Sequence, residues 1–154
     1  MNAGAGHTYS RLLVHVVFQT KGVHARVKPS FRERLYRYMA GIARQEFGRP
    51  IEIGGTADHI HALLSLRTDV SVAEAMRKLK SLSSGWVHKT FPDERVFAWQ
   101  SGYGAFSVSE SNAPSVVRYI KSQVEHHKRL TFEEELAVLL RKHGIDLVNR
   151  RGQG

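Results

Sequence analysis

An α+β domain on one antiparallel sheet is the fold that the sequence predicts. Three observations carry it. Extended apolar segments and amphipathic helical segments alternate as strand, helix, strand, strand, helix, strand, with helices to follow. Turn and capping residues punctuate that order at nearly every junction. The chain has 154 residues, of which 42% are hydrophobic and 24% charged, which suits one compact domain with a substantial core.

Tyr9 to Thr20 (YSRLLVHVVFQT) is rich in β-branched and apolar residues and reads as the first strand, ended by Lys21-Gly22. His15 falls inside it and reads as a structural histidine with no further role. Pro29 suits a helical first turn, and Ser30 with Glu33 has the spacing of a capping box. Phe31, Leu35, Tyr38, Met39, Ile42 and Phe47 then recur at helical spacing, and Gly48 with Pro50 stops the helix. Arg32, Arg34, Arg37 and Arg44 fall mostly on its solvated side.

Pro50 to Ile53 starts a short second strand, Gly54-Gly55 reads as a turn, and Asp58 to Leu66 (DHIHALLSL) returns as the third. The second helix spans Ser71 to Lys89, with Ser71 and Glu74 at capping-box spacing. Arg77, Lys78, Lys80 and Lys89 make it a basic amphipathic helix. Trp86 and His88 near its end fit a core, a surface or a base-stacking position equally. Phe91-Pro92-Asp93 breaks the helix. Val96 to Val108 reads as the fourth strand, with Gly102 and Gly104 marking a bulge or a close approach.

Asn112 as N-cap and Pro114 in the first turn open a third helix that runs to about Lys128. Thr131 and Glu134 repeat the capping-box spacing for a last helix ending near His143, with Gly144 beyond. The first six elements follow the β-α-β-β-α-β order of the ferredoxin-like fold, whose two helices cover one sheet face and leave the other for partners. The expected division is a tail over 1–8, a single domain over 9–146 and a basic tail over 147–154.

Composition narrows the function. Lys and Arg number 23 against 14 Asp and Glu, a net charge of +9, so a polyanion is the expected partner and nucleic acid the first choice. No apolar run reaches the length of a membrane span. Met1 to Thr8 lacks the basic patch and apolar core of a signal peptide. There is no cysteine, which excludes disulfides and thiolate metal sites and is compatible with a reducing cytoplasm.

Two stretches carry chemistry. His59-Ile60-His61 puts two imidazoles on one face of a strand, because residues two apart share a face. Alone, the pair reads more readily as two polar residues on a half-exposed strand than as a site, since two histidines are not a complete metal site. Tyr119, Gln123 and His126 stand at i, i+4 and i+7 and share one face of the third helix. Gln123 offers an amide oxygen to a hard cation. With the histidines it would give three ligands and open positions, the pattern of a catalytic site. The phenol of Tyr119 is a potential nucleophile, although an ordinary surface tyrosine has the same spacing.

His59-Ile60-His61 resembles the His-hydrophobic-His ("HUH") motif, and Tyr119-Ile120-Lys121-Ser122-Gln123 resembles the Tyr-x-x-x-Gln motif of single-tyrosine HUH transposases of the IS-two-hundred/six-hundred-five type. Gln100 to Ser109 and the stretch Glu125 to Glu135 are similar to that family as well, and the resemblance spans about Tyr9 to Ile145. It implies a DNA transposase that binds single-stranded DNA, recognises subterminal hairpins at element ends, and leaves a 5′-phosphotyrosine and a free 3′-OH. It implies Tyr119 as nucleophile, His59, His61 and Gln123 as ligands of Mg²⁺ or Mn²⁺, and a homodimer in which the tyrosine helix can complete the partner's site. A cytoplasmic protein, nucleoid-associated when DNA-bound, is expected. His126 is a neighbour of the site that could orient a phosphate. Arg77, Lys78, Lys80, Arg118 and Lys121 are candidates for the nucleic-acid backbone.

Three other readings use the same residues. One is a non-catalytic single-strand binder that stacks bases on Trp99, Tyr103 and Phe106. Another is a metal-dependent phosphohydrolase with water as nucleophile. The last is a chromosomal relative acting on repetitive palindromes.

Overall fold

The computed structural model describes residues 6–124 and 129–146. The strands are β1 (Leu12–Gln19), β2 (Gly48–Gly55), β3 (His59–Leu66) and β4 (Gly104–Val108). The helices are α1 (Arg32–Glu46), α2 (Val72–Thr90), α3 (Ala113–Lys121) and α4 (Phe132–Lys142), with a 3₁₀ turn at Glu110–Asn112. The sheet order is β2-β3-β1-β4 and every pairing is antiparallel. That is the expected ferredoxin-like arrangement.

Strand alternation divides the side chains between two faces. Val16 and Phe18 of β1 and Ile60, Ala62, Leu64 and Leu66 of β3 pack under α1 and α2, against Leu35, Met39, Ala75, Met76 and Leu79. The expectation that the opposite face stays open is not met. Leu13, Leu63, Val17 and Phe106 make that face apolar, and Ala113 and Ile120 of α3 with Phe132 and Leu139 of α4 close over it. β3 is therefore buried on both sides, and His59 and His61 have no exposed surface. This removes the alternative of a polar pair on a half-exposed strand.

Four local expectations shift. Gly54 and Gly55 are not the turn but the last pairs of β2, opposite His61 and Ile60. The turn is Thr56-Ala57-Asp58, closed by Thr56 N–H donating to the His59 carbonyl at 3.0 Å. Gly54 is small because α3 rests on it: a Cβ there would lie 3.0 Å from Ile120 Cγ2 and from its carbonyl oxygen. The fourth strand is only Gly104–Val108, because Gly102 takes a left-handed turn (φ +88°) and the stretch before it meets β1 through a single Thr20–Trp99 bridge. The Ser30–Glu33 capping box does not form; Phe31 is the N-cap of α1, without a side-chain bond. α3 is interrupted at Ser122, its C-cap; Gln123 and Val124 are again helical, and the remainder of the expected span to Lys128 lies outside the described residues.

Two caps form as expected. Ser71 Oγ accepts the Glu74 N–H at 3.1 Å at the start of α2. Thr131 and Glu134 make a complete capping box on α4. Thr131→Ala is expected to cost about 1 kcal/mol and so to lower the melting temperature by about 2–4 °C. Differential scanning calorimetry reads this directly, and an unchanged melt would mean that the α4 cap contributes nothing to global stability.

Candidate metal and nucleophile site

The site is assembled from the covered sheet face inward. β3 aims His59 and His61 at the layer of α3 and α4. The turn before β3 supports His59: its Nδ1 lies 2.7 Å from Asp58 Oδ1 and 3.0 Å from Thr56 Oγ1, and Thr56 Oγ1 itself donates to Asp58. His59 Nε2 faces Gln123 Oε1 at 3.0 Å and Glu135 Oε2 at 3.3 Å. His61 Nε2 lies 3.0 Å from Glu135 Oε1, and His61 Nδ1 lies 2.8 Å from His15 Nε2.

α3 brings Tyr119 to the same point, one turn before Gln123. The phenol donates to Glu135 Oε1, and the Gln123 amide donates to the same oxygen at 3.1 Å. The Tyr119 ring stands edge-on to His61 with centroids 5.5 Å apart. Glu135, only 2% exposed, is the hub that joins both histidines, the tyrosine and the glutamine.

The electrostatics follow from that carboxylate. Burial alone would lower the His59 pKa, but hydrogen bonds with Asp58, Glu135 and Gln123 outweigh it and hold the imidazole up at about 9. Burial would raise Glu135; the hydrogen bonds from His59 and His61 overcome it and keep the carboxyl far below its ordinary range. Burial, then the hydrogen bond and charge of Glu135, push the Tyr119 phenol above its ordinary value, so the phenol is protonated at neutral pH. His15 is depressed to about 3 by burial and then by the charges of His61 and His143, and stays neutral.

The donor set fits a divalent cation. One ligand atom each from His59, His61 and Glu135 lie within 4.8 Å of one another, all buried. Glu135 Oε2 is buried, and the contact it makes is the one with His59 Nε2 at 3.3 Å. Two imidazole nitrogens with carboxylate and amide oxygens suit Mg²⁺ or Mn²⁺ through the oxygens, and Mn²⁺ also through the nitrogens.

The sequence-predicted residues thus divide. His59, His61, Tyr119 and Gln123 converge. His126 lies outside the described residues. Arg77, Lys78 and Lys80 sit on α2, across the sheet from the histidines. Lys78 pairs with Glu46 and Glu74, Arg77 reaches Glu74 at 3.9 Å, and Lys80 is tied to the Gln100 and Gly102 carbonyls. Arg118 donates to Ser115, and Lys121 is 3.9 Å from Glu52; both are exposed near the site. Of the aromatics offered for base stacking, Phe106 is buried, Trp99 donates to Ser83 Oγ at 2.9 Å and only Tyr103 is exposed. Trp86 stacks on Tyr38, and His88 Nε2 donates to the Phe97 carbonyl, so both are structural.

Glu135, Asp58 and His15 are the site residues that sequence reasoning did not assign. Glu135 had a signal: it stands three residues after Phe132 on the apolar stripe of α4, whereas Glu133 and Glu134 face out. A carboxylate on a buried stripe needs a partner.

Residues 8–123 match the family described as "Transposase IS200 like". The ISDra2 transposase TnpA of Deinococcus radiodurans is 26% identical over 128 residues, which cover 80% of this chain and 91% of that one. The transposase for insertion sequence element IS200 of Salmonella typhimurium is 30% identical over 128 residues, 79% of this chain and 83% of that one. The structure of a REP-associated tyrosine transposase bound to a REP hairpin shares the fold, with a TM-score of 0.59, 12% identity, and coverage of 88% of this chain and 86% of that one. No helix among the described residues is long and apolar enough to cross a membrane. With the match extending through the whole sheet and as far as Gln123, the chain belongs to the IS200-like transposase family.

Proposed function

We propose that this transposase cleaves and rejoins single-stranded DNA through a covalent link between Tyr119 and a 5′-phosphate, with a divalent cation held by His59 and His61 together with oxygens of Gln123 and Glu135. The carrying observation is the convergence of these four groups and the Tyr119 hydroxyl around one buried point. The family and the +9 charge support DNA as the polyanion. The REP-hairpin complex of the structural neighbour supports a DNA hairpin as the recognised form.

Each residue then has a task. Tyr119 Oη attacks the scissile phosphorus and gives up its proton as the P–O3′ bond breaks, and the 3′ oxygen leaves as a hydroxyl, the phenol proton balancing the one it gains. The covalent phosphotyrosine keeps the phosphodiester energy for rejoining, when a 3′-OH attacks and Tyr119 is released. A bound cation supplies polarisation of the phosphate and charge stabilisation as the phosphoryl group transfers. Glu135 Oε1 accepts the hydrogen bond of the Tyr119 phenol and so orients it. Asp58 and Thr56 fix the His59 ring.

Tyr119, both histidines, Gln123 and Glu135 meet within one chain, so a site assembled within a subunit needs none of these groups from a partner. Mixing His59→Ala with Tyr119→Phe protein checks this. Mixtures should stay inactive, and recovered activity would mean that a homodimer shares its sites.

The deciding experiment is incubation with single-stranded DNA carrying a hairpin and a flank, with Mg²⁺ or Mn²⁺. A protein–DNA adduct that survives denaturation is expected. Binding without any adduct would leave a pure single-strand binder. Substrates drawn from element ends and from chromosomal palindromes separate a mobile-element transposase from a palindrome-processing relative.

The pH dependence is fixed by His59. In the metal-free protein it is protonated at neutral pH, and a cation must displace that proton. Mg²⁺ affinity by calorimetry should therefore rise with pH, about tenfold per unit, and level off near pH 9. The sign for stability is opposite. The pKa is raised from 6.5 to about 9, so this contribution to the metal-free fold is complete below 6.5 and is lost as pH climbs through 9. A Mg²⁺ affinity that is flat over this range would rule out His59 as a ligand.

A further inference from the structure

The proposed chemistry leaves one buried imidazole of the site, that of His15, without a task. β1 and β3 pair with Val17 opposite His61 and His15 opposite Leu63, which makes His15 and His61 diagonal neighbours on one face. Their rings lie 5.0 Å apart at 32°, and His15 Nε2 meets His61 Nδ1 at 2.8 Å. His15 is 3% exposed and His61 not at all. Phe106 and Tyr119 stand edge-on to the His15 ring, at 6.2 and 6.1 Å, and hold it in place.

A bond between two ring nitrogens holds one hydrogen: one nitrogen donates it and the other accepts. A neutral histidine that gives Nε2 to a cation keeps its own hydrogen on Nδ1, and that N–H needs an acceptor. His59 has the Asp58 carboxylate for this purpose. We propose that His15 is the corresponding positioning residue for His61. Its Nε2 accepts the His61 Nδ1–H and fixes the tautomer and ring plane that turn His61 Nε2 toward Glu135 and the cation.

In this role His15 acts through His61 rather than as a ligand of the cation. The role rests on the reading of His59 and His61 as cation ligands. It also accounts for a buried, neutral imidazole in the middle of a central strand, where an aliphatic residue would pack at lower cost.

The test is Mn²⁺ titration of the full chain, followed by electron paramagnetic resonance, for the parent, His15→Phe, His15→Gln and His61→Ala. Phenylalanine fills the volume but cannot accept a hydrogen bond. The Gln Oε1 can reach the place of the imidazole Nε2 and can accept. His15→Phe is expected to weaken Mn²⁺ binding by about 10–100-fold, the effect typical of losing a group that backs a ligand. His15→Gln should keep most of the affinity. Melting in chelator should show both variants folded. Nitrogen-15 long-range spectra of the Mg²⁺-loaded protein should place the His61 hydrogen on Nδ1 in the parent and in His15→Gln, and lose that assignment in His15→Phe. Parent-like affinity in His15→Phe, or equal weakening in both variants, overturns the proposal. If the parent binds no Mn²⁺, or His61→Ala binds as the parent does, the metal reading itself fails and the role of His15 falls with it.

Discussion

Tyr119→Phe is expected to abolish covalent capture of single-stranded DNA while leaving its binding intact. The adduct needs an oxygen to carry the phosphorus, and in this site the Tyr119 ring stands against His61 while its hydroxyl donates to Glu135. Residual strand cleavage should fall by on the order of 10⁴–10⁶-fold, as when a covalent nucleophile is removed elsewhere. The fold should survive. The lost group is one hydrogen bond to a carboxylate that keeps both histidines and Gln123, so the stability cost is about 1–2 kcal/mol. Denaturing gels with labelled DNA read the adduct, and a mobility shift reads binding. Cleavage that persists without an adduct would assign the attack to water and favour the phosphohydrolase reading.

Glu135→Ala is expected to be the most destabilising single change at the site. It leaves the raised-pKa His59 without its helical counter-charge and removes the acceptor for the Tyr119 phenol and the Gln123 amide. Breaking one side of a buried ion pair costs about 3–5 kcal/mol. In a chain of this size that lowers the melting temperature of the metal-free protein by about 6–20 °C. Glu135→Gln keeps the shape and an acceptor but not the charge, and should fall between Glu135→Ala and the parent. The loss has a pH signature as well. The Glu135 pKa is depressed, so its contribution is present above the ordinary carboxylate range and disappears as pH falls below it. The parent and Glu135→Ala should therefore converge in stability on acidification. Equal melts at neutral pH would mean that α4 does not rest on the histidines as the structure has it.

Much of this was legible in the sequence. The six-element order was correct, and so was the strand that carries His59 and His61. The α4 boundaries followed from Thr131, Glu134 and Gly144, because caps act within one turn of chain. The i, i+4 relation of Tyr119 and Gln123 came from helix geometry alone and survives in the structure, where the Gln123 amide donates to the Tyr119 carbonyl. Errors arose where a residue's meaning depended on a distant neighbour. Gly54-Gly55 looked like a turn because glycine pairs usually mark one, yet Gly54 is small to admit Ile120. Trp99 and Phe106 looked available for stacking because strand alternation does not say which faces are covered. The second sheet face was expected to be open, since the two helices of the basic fold account for only one.

By itself, the sequence determined the local geometry: two imidazoles on one strand face, a phenol and an amide on one helix face, and a basic surface. Their spacing is set by backbone repeat distances and needs no partner. Only the tertiary structure decided that the two faces meet, that Glu135 joins them from α4, and that His15 stands behind His61. Those relations depend on strand register and on helices docking over dispersed apolar residues. Leu13, Val17, Leu63 and Phe106 provide that docking surface, and burial there converts separated polar side chains into one coupled site.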